Sequence, residues 1–381
     1  MRSIGQRERD APAPRLTMHI AQIAPLEEAV PPRLYGGTER IVCYLTEALI
    51  DLGHEMTLFA SGDSATRASL VPIVPQAFRL SRRPTDRAAA GAVLLQKVAQ
   101  AAASFDVIHC HVDWLHLPVF DRLATPFLTT LHGRLDFPII REVVTLFPDT
   151  PLVSISDDQR RPIPHANWLA TIHHGLPADL FRPAGEPEGY LAFLGRMSPE
   201  KGPDVAIRLA RAAHRPLRIA AKVPHGGQSY FQKRISPLLD GGDVQFLGEI
   251  AGKKKAEFLG KAAALLFPIN WPEPFGLVLI EAMAFGTPCV AFRAGAVSEI
   301  IEDGVTGFVV DTEEEALAAL GRIHEIDRAG VRRRFEQRFT ATRMAQDYVR
   351  AYERLARPRE WRPSMKEQER VSSEPLARRE L

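Results

Sequence analysis

The sequence predicts an α/β protein made of two doubly wound, mostly parallel sheets that face each other across a cleft. Three observations carry this expectation. From Met18 onward, short apolar runs alternate with amphipathic segments of helical length, and strands separated by helices call for right-handed βαβ crossovers and a parallel sheet. The length of 381 residues exceeds what one core ordinarily fills and favours two domains. The rhythm breaks at residues 175–189 (GLPADLFRPAGEPEG), where Pro and Gly mark a linker, and then restarts.

In chain order, MHIAQIAP (18–25) reads as the first strand. A helix follows over Thr38–Leu52, with Ile41, Leu45, Leu49 and Leu52 on one stripe and Thr38 as its cap. EMTLFAS is the next strand, then a long polar connection (62–86) and an Ala-rich helix (87–103). FDVIHCH, FLTTLHG, PLVSIS and WLATIHHG complete the first sheet. Beyond the linker, YLAFLGR (190–196), LRIAAKV, VQFLGEI, ALLFP, CVAF and GFVV are the strands of the second sheet. One of its helices begins at about residue 201; another opens near Gly276 and stops at Gly286, with Pro288 beyond. The last helix, Thr340–Ala356, aligns Met344, Tyr348 and Tyr352 and so needs an apolar surface to cover. The expected division is a flexible extension (1–17, with Met18 an alternative start), a first domain (18–178) and a second domain (179–339). A closing helix (340–357) crosses back to the first domain, and a charged tail (358–381) ends the chain.

Composition excludes several classes. With 45 % apolar and 25 % charged residues the chain is neither disordered nor fibrous. The net charge of +2 conceals a basic end: residues 328–381 hold 15 Lys and Arg against 8 Asp and Glu. A solvated helix with a charged tail explains that end; weak peripheral membrane contact is the other reading, and no nucleic-acid partner is expected. Cys43, Cys110 and Cys289 are far apart without ligand-like spacing, which suits a reducing cytosol and a cytoplasmic location. No apolar run reaches the ~18–20 uncharged residues of a membrane span, and the N-terminus lacks the apolar core of a secretory signal.

Open α/β sheets bind ligands at the carboxyl ends of their strands, and four short stretches fall there. WPEPFGLVLIEAMAFGTP carries Glu273 just before a helix and Glu281 inside it, beside Ile280, Ala282 and Met283. A helix dipole accounts for Glu273 at about 0.3–1 kcal/mol, and a salt bridge to a neighbouring element accounts for Glu281. A hydroxyl-rich ligand would also supply the donors that a buried carboxylate needs. GRMSPEKG (195–202) brings Arg196 and Lys201 to a helix start, where cations oppose the dipole but suit a diphosphate. YGGTER (35–40) sets a Gly pair before a helix, and at Gly37 a backbone N–H could approach a ligand closely. TTLHGRLD (129–136) puts His132 at a strand end. His109 and His111 alternate on one strand face, but no third ligand accompanies them, so no metal is expected.

EPFGLVLIE, continued by EAMAFGTPCVA, resembles the EX7E motif of family 4 glycosyltransferases, and GRMSPEKG is similar to that family's GRxxxEKG. The resemblance runs from Met18 to about Arg357. It implies the GT-B fold: two Rossmann-like domains, with a nucleotide-sugar on the C-terminal one and the acceptor mainly on the other. It also implies roles. Glu273 would contact the donor sugar, Glu281 the ribose, Arg196 and Lys201 the diphosphate leaving group, Gly37 the phosphate and acceptor, and His132 the sugar or reaction centre. Phe275, Gly276, Leu277, Glu249, Ile250 and Glu299 fall where the family contacts its donor. Where the family often has a Gly pair before that last Glu, this sequence has Ala294, Gly295 and Ala296. The implied reaction is metal-independent, cofactor-free, retaining transfer of a hexosyl group from a UDP- or GDP-linked donor to an acceptor hydroxyl on a saccharide, lipid-linked or small molecule. A nucleotide-sugar epimerase on the same fold is the alternative. An NAD-dependent oxidoreductase is disfavoured, because neither first strand leads into G-x-G-x-x-G.

Overall fold

The computed structural model describes residues 17–34, 36–82, 84, 86–179, 186–239 and 242–356. The expected extension and charged tail, Tyr35 and part of the linker lie outside the described residues. Strands β1 (His19–Ile23), β2 (Glu55–Ala60), β3 (Ser69–Pro72), β4 (Val107–Cys110), β5 (Phe127–Thr130), β6 (Leu152–Ser154) and β7 (Trp168–Thr171) form one parallel sheet. Its order is β3-β2-β1-β4-β5-β6-β7. Helices α1 (Gly37–Asp51) and α2 (Arg87–Ala101), the single turn α3 (Leu117–Phe120) and α4 (Pro138–Leu146) connect the strands. Ile20, Ala21, Val107 and Ile108 are fully buried; strands covered on both faces read as unbroken apolar runs, which is why they were visible in the sequence.

The second sheet is also parallel: β8 (Leu191–Arg196), β9 (Leu217–Lys222), β10 (Val244–Gly248), β11 (Ala264–Phe267), β12 (Cys289–Phe292) and β13 (Gly307–Val310), in the order β10-β9-β8-β11-β12-β13. Its helices are α5 (Pro203–Ala212), the short α6 (Gln228–Tyr230), α7 (Gly252–Gly260), α8 (Leu277–Ala284), the short α9 (Val297–Ile300), α10 (Glu313–Arg322) and α11 (Arg328–Arg338). Strand order reverses beside β1 and beside β8, so each sheet has a switch point at the carboxyl end of its first strand. Among the described residues no helix is long and apolar enough to cross a membrane.

Three local expectations need correction. The polar connection over 62–86 contains β3, a short edge strand that is partly exposed and ends in Pro72; it has too little alternation to register as a strand, and Pro is tolerated only at such an edge. Thr38 does not cap α1: Gly36 holds the cap position in extended backbone, with no side-chain bond to the helix. The helix expected from about residue 201 starts at Pro203, after a single 3-10 turn over Pro199–Lys201.

The final helix, α12 (Ala341–Ala356), packs on α1 and β4 of the first domain. Tyr348 and Tyr352 are fully buried there, and both hydroxyls join one polar chain. Tyr352 Oη lies 2.8 Å from His109 Nδ1, His109 Nε2 lies 2.7 Å from Thr130 Oγ1, and Thr130 Oγ1 lies 2.8 Å from Tyr348 Oη. The return of the chain is tied to its outward passage: Leu176 N donates to Phe339 O at 2.9 Å and Ala341 N donates to Leu176 O at 2.8 Å. Gly175 permits this, since a Cβ there would come within 2.2 Å of Thr340 O. Replacing Tyr352 with Phe strands a nitrogen of the buried His109. We expect a loss of about 1–3 kcal/mol, read from urea unfolding, with secondary structure unchanged by circular dichroism.

Candidate active site

The facing carboxyl ends of the two sheets enclose a cleft of about 380 Å³. From the first domain come Gly36, Gly37, Thr38 and Arg40 at the start of α1, and His132 beyond β5. The second domain contributes Arg196 at the end of β8, Lys201 in the turn after it, and Glu249 and Ile250 after β10. Glu273, Phe275 and Gly276 follow β11, and Leu277 and Glu281 lie on α8. The two helix starts nearly touch across the gap, because a Cβ on Gly37 would lie 3.4 Å from Leu277 Cδ1. With no side-chain cap on α1 or α8, their first amides are available for an anionic or hydroxylated ligand.

The cleft is charged, and four of its buried charges form two ion pairs. Lys201 forms an ion pair with Glu273, and Lys255 on α7 forms one with Glu281. All four side chains are at most 15 % exposed, a setting in which an unpaired charge is costly. Lys201 also lies over the Trp271 ring, 5.0 Å from its centroid. Burial pushes the Lys255 ammonium below its usual range despite the neighbouring carboxylate. Arg196 is more open and bonds Glu200 at 3.1 Å. Glu281, which sits in the apolar heart of a helix, thus has its donor in Lys255. That lysine was not singled out in the sequence, although Lys253, Lys254 and Lys255 stand in a row at a helix start and only the third turns inward.

The loop bearing Glu273 is held from behind. Ala296 N donates to Glu273 O at 2.9 Å, and the intervening Gly295 has φ 55° with no room for a side chain, since its Cβ would lie 2.3 Å from Glu273 N and O. Of the residues Ala294, Gly295 and Ala296, only the central one is required to be glycine.

Glu299 stands apart from the other expected donor contacts. It does not line the cleft; its carboxylate accepts from Asp157 N at 2.8 Å and Asp158 N at 2.7 Å and lies 3.3 Å from His173 Nε2. It therefore bridges the domains, close to Ser156 Oγ, which donates to Pro274 O at 2.6 Å. His109 and His111 are occupied as well, the first by Tyr352 and Thr130, the second by Gln22 and His132. Among the described residues no group of three or more His, Cys, Asp or Glu is arranged to hold a metal ion.

Comparisons with known proteins agree with this architecture. Residues 35–179 match the family model described as Glycosyltransferase Family 4, and residues 181–338 match Glycosyl transferases group 1. A D-inositol 3-phosphate glycosyltransferase from Mycobacterium avium (strain 104) is 30 % identical over 61 % of this chain and 65 % of its own length. One from Nocardioides sp. is 27 % identical over 70 % of this chain and 68 % of its own. The chain thus spans about two thirds of the length of these curated relatives. Among solved structures, AviGT4, a glycosyltransferase involved in avilamycin A biosynthesis, superposes with a TM-score of 0.68 at 25 % identity, covering 89 % of this chain and 98 % of that one. Anabaena HepE in complex with UDP and glucose gives 0.70 at 19 % identity over 89 % and 100 %.

Beneath the Gly36–Gly37 loop, Glu28 is ion-paired with Arg79, whose guanidinium reaches Glu249 at 3.4 Å across the cleft. Burial outweighs the arginine and raises the Glu28 carboxyl from 4.5 to about 7. The folded protein holds this proton more tightly than the unfolded chain, so stability falls as pH rises from 4.5 to about 7. Glu28→Gln is expected to flatten that slope in urea-unfolding midpoints measured across the window.

Proposed function

The chain belongs to glycosyltransferase family 4, and from that premise we propose that it moves a hexosyl group from a UDP- or GDP-linked donor to an acceptor hydroxyl with retention of configuration. The observation that carries this reading is the set of paired charges at the switch point of the second sheet. A diphosphate placed against Arg196, Lys201 and the start of α1 meets two cations and a helix N-terminus without a side-chain cap. Glu281 then faces the ribose, Glu273 and His132 the sugar, and Glu249 and Ile250 the base. HepE, which holds UDP and glucose on the same fold, supports the choice of donor class. The relatives that glycosylate D-inositol 3-phosphate support a hydroxylated acceptor.

In this reading Glu273 and Lys201 are ion-paired with each other. The donor's diphosphate competes for Lys201 and releases Glu273 to accept hydrogen bonds from sugar hydroxyls, so the leaving group and the sugar are gripped together. As the glycosidic bond breaks, negative charge grows on the departing diphosphate, where the fixed cations stabilise it without any need to reorient. The departing oxygen takes the proton of the acceptor hydroxyl on the same face of the sugar. The protein's part is alignment and charge, with no covalent nucleophile.

The test is a donor screen with UDP- and GDP-hexoses, followed by Lys201→Met and Glu273→Gln. Lys201→Met is expected to lower kcat/KM by about 10²–10³. Glu273→Gln is expected to abolish transfer while tightening UDP or GDP binding several-fold by calorimetry, because Lys201 is no longer engaged. Wild-type turnover in both variants would refute the assignment, and unchanged nucleotide affinity in Glu273→Gln would refute the exchange. Formation of an epimerised nucleotide-sugar from the donor alone, without an acceptor, would identify an epimerase instead.

A further inference from the structure

Strands β1 and β4 and the residues after β4 and β5 set Gln22, His111 and His132 in a row from the buried centre of the first sheet to the cleft. Gln22 Oε1 lies 2.8 Å from His111 Nε2, and His111 Nδ1 lies 2.9 Å from His132 Nε2. With the Gln22 amide oxygen facing His111, the ring carries its proton on Nε2, because an amide oxygen only accepts. Its Nδ1 is then a lone pair, which can bond His132 only if His132 Nε2 is the donor. His132 has one nitrogen left: Nδ1, unprotonated. The ring lines the cleft and is stacked on His174, with centroids 5.3 Å apart and planes 15° apart, which fixes its tilt.

Nothing charged belongs to the row. Burial holds His111 well below its usual range and brings His132 down to about 3, so the rings stay neutral and the direction of the hydrogen bonds is set at the amide end. Gln22 is fully buried, and its Nε2 finds no partner among the described residues. A buried unpaired donor is costly, and an apolar side chain of the same shape would avoid that cost; the Gln22 oxygen is what an apolar replacement would lack.

We propose that Gln22 and His111 are positioning residues that lock His132 in the Nε2–H tautomer, so that its Nδ1 presents a neutral hydrogen-bond acceptor to a hydroxyl of the donor sugar. The identity of the hydroxyl's owner rests on the glycosyl-transfer reading; the tautomer does not. Beside Glu273, such an acceptor adds directional recognition without adding a further carboxylate near the departing diphosphate.

The experiment is a two-bond ¹H–¹⁵N correlation spectrum of the full-length, histidine-labelled protein, which separates protonated from lone-pair ring nitrogens. The wild type is expected to show His132 with a protonated Nε2 and a lone pair on Nδ1. Gln22→Met is expected to give averaged shifts at His132, with donor kcat/KM lower by about tenfold. His111→Asn, whose amide oxygen can replace the Nδ1 acceptor, is expected to restore both relative to His111→Leu. A wild-type His132 protonated on Nδ1 or on both nitrogens, or a Gln22→Met spectrum unchanged at His132, would overturn the proposal. A wild type that transfers no sugar yet shows the Nε2–H tautomer would refute the transfer reading while supporting the lock.

Discussion

The pairing of Lys201 with Glu273 and of Lys255 with Glu281 is the constraint that the rest of the cleft is built to satisfy. Side chains at most 15 % exposed cannot cheaply carry a lone charge, because dehydrating an unpaired ion is costly. Each charge therefore comes from a different element, brought to its partner by the backbone: the turn after β8 meets the loop after β11, and the start of α7 meets the middle of α8. The close approach at Gly295 keeps the Glu273 loop from drifting away from its lysine.

Much of this was legible along the chain because it is local. The strands buried on both faces are continuous apolar runs, and Glu273, Glu281, Arg196 and Lys201 stand in two compact motifs whose spacing is itself the signal. What escaped depends on distance in sequence. Lys255 gains meaning only when α7 is laid against α8, and β3 only when β2 offers it an edge. The cap expected at Thr38 fails for a different reason. Gly36 takes the position and leaves the first amides of α1 uncovered, so the local rule for a stable helix end yields where the end faces the cleft.

The histidines show the same division. His109 lies on β4 and His111 directly after it, and alternation places both on the same face, with ring centroids 4.0 Å apart. Their chemistry diverges through Tyr352, 243 residues away, in one case and Gln22, 89 residues away, in the other. One ring anchors the final helix; the other leads toward the cleft. Glu299, expected at the donor, instead accepts two backbone amides of the opposite domain, which makes it a contact between halves.

The bridge at Leu176, bonded to Phe339 and Ala341 on either side of Thr340, has a mechanical consequence. Since α12 is fastened to the first domain, the chain passes between the halves twice, and the two passages are hydrogen-bonded to each other at one place. The two halves are thus joined by backbone at this clasp and by side chains at Glu299 and Ser156, so separating them breaks hydrogen bonds of both kinds.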